Sequence, residues 1–91
     1  MVFQVTDSVA TPLGLNVSNL VFSLKGECQV RKDESGRTIF GIFQVRTGND
    51  YSLPLLYTVP HSVAVPPVLN VDPAEYLYND YKANYVNTVD L

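Results

Sequence analysis

Ninety-one residues allow one domain, and a chain of this length buries only about 60–65% of its unfolded surface, so its stability reserve is small. The single cysteine, Cys28, excludes an internal disulfide, and a net charge of −3 excludes nucleic-acid binding that relies on phosphate neutralisation. Charged residues make up 16% of the chain, below the ~25% of an average domain. That is too little charge to coat the whole exterior, so contact with another protein is the natural source of further stability.

The start, Met1 to Asp7, lacks the basic and apolar regions of a signal peptide, and no run of apolar residues is long enough to span a bilayer. Residues 1–14 are expected as an extended N-terminal arm, because Ser8 to Gly14 has little periodicity and includes Thr11-Pro12. Strands are expected at Phe3-Gln4-Val5-Thr6 and from Leu13 to Val17, with a bulge or corner at Ser18-Asn19 where the apolar phase breaks.

Residues 15–71 read as a β domain. Leu20, Phe22, Leu24, Gly26, Cys28 and Val30 alternate with mostly polar residues, a period of two that marks a half-buried strand over 20–32. Asp33-Glu34-Ser35-Gly36 carries turn chemistry, and Ile39, Gly41, Phe43 and Val45 place a second strand over 37–46. For the even set and the odd set to share a face, paired residue numbers must sum to an odd value. A loop over 33–36 satisfies this and predicts the pairs Val30/Ile39, Cys28/Gly41, Gly26/Phe43 and Leu24/Val45. Tyr51, Leu53, Leu55, Tyr57 and Val59 predict a third strand over 51–59, with Pro54 at a sheet edge or bulge. Val63-Ala64-Val65 adds a short strand before Pro66-Pro67. The reverse face of this meander carries Phe40, Ile42 and Leu56, with Val21 further along, so a cover is required on both sides.

Residues 72–91 read as a C-terminal helix and tail. Asp72 is an N-cap, Pro73 the first helical residue and Glu75 the reciprocal member of a capping box. Ala74, Leu77, Tyr78, Tyr81, Tyr85 and Thr88 form one stripe of a helix over 73–86, with Tyr76 and Ala83 on its other side. Four of the six tyrosines lie in this segment.

Residues 23–46 hold five basic and three acidic side chains, a net of +2, whereas the rest of the chain holds one basic and six acidic side chains, a net of −5. A basic centre with acidic ends favours head-to-tail contact between copies.

Candidate chemistry is sparse. His61, the one histidine, lies in Val59-Pro60-His61-Ser62-Val63, which reads as a loop, and Cys28 lies on an apolar strand face where a thiol is inert. No ligand pair has metal-site spacing, and Gly36 and Gly48 stand alone rather than in a phosphate loop, so no catalytic residue, metal or cofactor is expected. Asp33 and Glu34 belong to turn chemistry, and Asn16-Val17-Ser18 fits a glycosylation triplet with no signal peptide to give it meaning.

The sequence therefore predicts a mainly β fold, a small antiparallel β-sandwich or open barrel with a meander core and one C-terminal α-helix. The expected role is that of a non-enzymatic structural or assembly subunit, with a virion (bacteriophage capsid, connector or tail) or a cytoplasmic assembly as its setting. Its partners are expected to be itself or other structural proteins, with neither nucleic acid nor membrane. The candidate interface is Phe40, Ile42, Leu56, Tyr76, Tyr78, Tyr81 and Tyr85, helped by strand pairing at the Pro54 edge or through the arm. The alternatives are a small-ligand or carbohydrate-binding β module with a concave site at Tyr51 or Tyr57, and a small enzyme built on Cys28 or His61.

Overall fold

The computed structural model describes residues 1–24, 28–66 and 69–91. The fold is mainly β, antiparallel throughout, with one α-helix near the C-terminus. Its strands are β1 (Val2–Val5), β2 (Val9–Ala10), β3 (Asn16–Val17), β4 (Leu20–Leu24), β5 (Gln29–Asp33), β6 (Gly36–Arg46), β7 (Tyr57–Val65) and β8 (Thr88–Asp90), and the helix α1 spans Pro73–Lys82. β6 is the hub. Its first half pairs with β5 and its second half with β4 along one edge, β7 pairs along the other edge, and the sheet continues from β4 through β1 to β8. β2 and β3 form a separate two-stranded sheet.

Parity explains which residues reach the core. β5 and β6 pair as Val30/Ile39 and Asp33/Gly36, so the turn is tighter than the four-residue loop expected and leaves only Glu34 and Ser35 unpaired. Asp33 Oδ1 accepts hydrogen bonds from the Ser35 amide at 2.9 Å and its hydroxyl at 2.8 Å, which closes the turn. Farther along, β4 pairs as Leu24/Phe43 and Phe22/Val45, a slip of two residues from the expected Leu24/Val45. Two residues is one full period of a strand, so the slip moves every partner and leaves every side chain on its expected face. The predicted Gly26/Phe43 pair involves a residue outside those described. Phe3 and Val5 of β1, Leu20 and Phe22 of β4, and Ile39, Phe43 and Val45 of β6 are at most 1% exposed and form the core with Val65, Leu77, Tyr78 and Tyr81.

Two expected elements differ, the N-terminal arm and the third strand, while the corner at Ser18-Asn19 stands where it is expected. Residues 2–5 lie inside the sheet, with β4 on one side and β8 on the other, rather than in a free arm, because burying Phe3 and Val5 outweighs leaving them in solvent. The break at Ser18-Asn19 is a sharp corner in which Asn19 takes φ 61°, the left-handed region that asparagine tolerates. The third strand of the meander is β7, Tyr57–Val65, not 51–59. Tyr57 pairs with Val45, so residues 47–56 must form the connection, folded by hydrogen bonds from the Ser52 and Leu53 amides to Asp50. Pro54 lies in that connection, whereas Pro60 and His61 lie within the strand. β7 accommodates a proline because it is an edge strand, with one side of its backbone unpaired.

The helix starts at Pro73 with Asp72 as its N-cap, as expected. The Asp72 carboxylate accepts from the amides of Ala74 at 3.0 Å and Glu75 at 3.3 Å, with Pro73 in the first turn. It ends at Lys82 rather than continuing to residue 86, and Thr88 begins an edge strand on β1. Asn84 binds the carbonyl of Tyr81 through its amide at 3.1 Å and its side chain at 3.0 Å, and β-branched Val86, Thr88 and Val89 favour strand over helix.

α1 docks where the sheet lacks a side chain. A methyl group on Gly41 would come within 2.5 Å of Leu77 Cδ2, 3.2 Å of Leu24 Cδ1 and 3.4 Å of Cys28 Sγ. Leu77 is wholly buried in the core cluster, so any shift that makes room for the methyl group disturbs the packing of its core neighbours. Gly41→Ala should therefore destabilise the fold by about 1–3 kcal/mol in urea unfolding, through overpacking. An unchanged or raised unfolding midpoint would overturn this account of the docking.

Candidate functional site

The inner face of the sheet is closed by an aromatic cluster. The Phe3 and Phe22 rings stack at 5.1 Å and the Phe43 and Tyr81 rings at 4.5 Å, while Tyr78 meets Phe3 edge-on at 5.5 Å. Tyr85, beyond the helix, continues the stripe, with its ring 5.3 Å from Phe22 and its hydroxyl 2.8 Å from that of Tyr81. Of the candidate interface residues, Tyr78 and Tyr81 thus sit in this chain's own core. Tyr76, Tyr85 and Leu56 are half-buried against that core, and Phe40 and Ile42 are exposed on the outer face. The tyrosine tail covers its own sheet, and it covers the principal apolar face rather than the reverse one.

Two polar clusters flank the helix. At its C-terminal end, the Tyr78 hydroxyl donates to Asp90 Oδ1 at 2.7 Å with the Val2 carbonyl 3.0 Å away, and Lys82 Nζ lies 2.9 and 3.1 Å from the two Asp90 oxygens. The Lys82 and Tyr78 hydrogen bonds hold the Asp90 carboxyl below its ordinary value. On the β7 side, His61 Nε2 lies 2.7 Å from Asp80 Oδ2, and the imidazole sits 5.1 Å from the Tyr81 ring. His61 pairs with Gly41 across the β6/β7 ladder, and Cys28 Sγ approaches Gly41 from the opposite side. Cysteine and histidine thus flank one glycine, but Leu77 occupies the space above it. Burial, with the charge of Asp72, pushes the Cys28 thiol up, opposite to what a nucleophilic thiolate requires. An exposed pair such as His61/Asp80 contributes about 0–1 kcal/mol, which suits a tie between helix and edge strand. Among the described residues no three histidine, cysteine or carboxylate groups converge as metal ligands, and no helix is long and apolar enough to cross a membrane.

The outer face is the surface that remains. Register sets its rows: Gln29, Phe40 and Ser62 lie side by side across β5, β6 and β7, followed by Arg31, Thr38 and Ala64, while Ile42 neighbours Pro60. A cleft of about 600 Å³ runs over this area, lined by Gln29, Val30, Arg31, Asp33, Thr38, Phe40 and Ser62. At the other end of β6, Arg46 donates to Gln44 Oε1 at 3.0 Å and to the Leu53 carbonyl at 3.4 Å, and its guanidinium lies 5.1 Å from the Tyr51 ring centre. The 47–56 segment therefore bounds the open face there. Tyr51 and Tyr57 do not line the cleft. The Gln29/Phe40 neighbourhood was implicit in the Val30/Ile39 pairing, whereas Ser62 was hidden because its strand read as a loop. No protein-family model, no curated protein and no solved structure matches the chain.

The buried hydroxyls and the tethered carboxylates set the pH response. Burial, with hydrogen bonds to Tyr85 and Asp90 respectively, raises the ionisation of Tyr81 and Tyr78 above the ordinary tyrosine range, so their neutral forms favour the fold. That stabilisation is complete below pH ~10 and is lost as pH rises through the folded values. Asp90, Asp33 and Asp50 are depressed, the last two by hydrogen bonds from Ser35 and Ser52. Their contribution is present above pH ~4 and lost as pH falls through the folded values. Urea midpoints measured across pH should decline at both ends, and Lys82→Met should weaken the acid dependence. An acid limb unchanged by that substitution would refute the role given to Asp90.

Proposed function

We propose that this chain is a non-enzymatic assembly subunit that works by repeated protein contacts, with a virion component as the setting its composition fits best. The observation that carries the reading is the outer face of β6. Phe40 and Ile42 stand two residues apart on the longest strand, 37% and 45% exposed, beside Pro60 and without a covering element among the described residues. A sheet face with that apolar content is ordinarily packed against something. The tyrosines contribute by fixing the helix to the inner face, so the contact falls to Phe40 and Ile42 and their neighbours. A second reading, a small-ligand or carbohydrate-binding module, draws on the cleft beside Phe40, whose ring is flanked by the amide of Gln29 and the hydroxyl of Ser62.

Light scattering across micromolar concentrations should show self-association or assembly onto a larger protein. Ile42→Glu should weaken that association at least tenfold, because burying an unpaired carboxylate is costly, while the urea midpoint stays close to that of the parent chain. A stable monodisperse monomer would overturn the assembly reading. An equal loss of folding and association would place Ile42 in a structural role instead.

A further inference from the structure

The outer face has the chemistry and shape to receive a copy of itself. The chain carries a net charge of −3, which opposes the approach of two copies over most of their surface. On the outward positions of β5, β6 and β7 the charged residues are Arg31, Asp33 and Arg46, and Arg46 is engaged by Gln44, the Leu53 carbonyl and Tyr51. These partners are all neutral, so the face carries two cations and one anion, a net of +1; it lacks the acidic excess of the rest of the chain and poses only a small electrostatic barrier to its like.

Side-chain size points the same way. On one flank of Phe40 and Ile42, β5 presents the long side chains of Gln29 and Arg31. On the other flank, β7 presents Ser62 and Ala64 at the same levels. A two-fold axis parallel to β6 lays each copy's β5 over the other's β7 and keeps every residue at its level along the strand. Long side chains then meet short ones, Gln29 over Ser62 and Arg31 over Ala64, and Phe40 and Ile42 meet their counterparts near the axis. A perpendicular in-plane axis at the level of Lys32 would pair Arg31 with Asp33 but slide Phe40 and Ile42 past the end of the hairpin. Burial of the apolar pair excludes this register, and together with the match of long against short side chains it favours the first arrangement.

We propose that a second copy of this chain covers the outer face of β5, β6 and β7 through a two-fold axis running along β6, completing a two-sheet sandwich with both helices outside. The proposal rests on the assembly reading and specifies its partner. The two sheets would stand about 10 Å apart with the two β6 strands running parallel along the axis, and the interface is isologous, so each contact off the axis occurs twice.

Cross-linking with a short bismaleimide tests the axis, in a Cys28→Ser background to remove the native thiol. Gln29, Thr38 and Ser62 are all exposed, so cysteines there leave the core intact. Thr38→Cys, on the axis, should cross-link to itself. Gln29→Cys and Ser62→Cys should each give little dimer alone and at least tenfold more when the two proteins are mixed. If scattering shows self-association but Gln29→Cys links to itself, or the mixture gains nothing, this axis is overturned while the assembly reading stands. If the parent chain is monomeric at these concentrations, both fall.

Discussion

The constraint on which the rest depends is that one helix must serve a sheet with two apolar faces. α1 goes to the inner face because Gly41 lets Leu77 descend onto β6 and because Phe3, Phe22 and Phe43 offer rings for Tyr78, Tyr81 and Tyr85 to pack against. Each aromatic pair adds about 0.5–1.5 kcal/mol beyond the area it buries. Phe40, Ile42 and Pro60 offer no comparable set of rings, so the tyrosine stripe has no reason to choose the outer face.

Closure of the inner face also joins the ends of the chain. β1 lies between β4 and β8, and Tyr78 reaches from the helix to Asp90 on β8 and to the Val2 carbonyl on β1. The N-terminal strand, the helix and the C-terminal strand thus share one aromatic core, and none of the three can leave without exposing Phe3. In a chain this short, where only about 60–65% of the unfolded surface is buried, such sharing makes folding cooperative.

The inner face was legible in the sequence because parity is robust. The alternation of Leu20, Phe22 and Leu24 against Ile39, Phe43 and Val45 specifies which side chains share a side, and a two-residue slip in pairing leaves that unchanged. The limits of the third strand were not legible, because its odd-numbered apolar phase runs from Tyr51 to Val65 with only His61 interrupting it. Alternation says which face a residue would take but not where pairing begins. Pairing begins at Tyr57, where the hairpin has room to turn, and it continues through Pro60 because that edge is free. The helix end was misplaced for a similar reason: Tyr85 fits the helical stripe and still packs against Phe22 after the helix has stopped. His61, in a stretch that reads as loop, is a strand residue facing the helix, a placement that depends on the partner Asp80 and on the full span of β7.

Separate faces imply separate energies. Side chains on the inner face hold the monomer together, and those on the outward positions of β5, β6 and β7 add little to it, so the two can be altered independently except through β6 itself. β6 is common to both because its odd residues, Ile39, Phe43 and Val45, build the core while its even residues, Phe40 and Ile42, face outward. A partner on the outer face would bind only the ordered strand and so add its binding free energy to that of folding. The effect is largest where the free chain is least stable. Association and stability would then be coupled through the backbone of one strand, with no residue serving both sides.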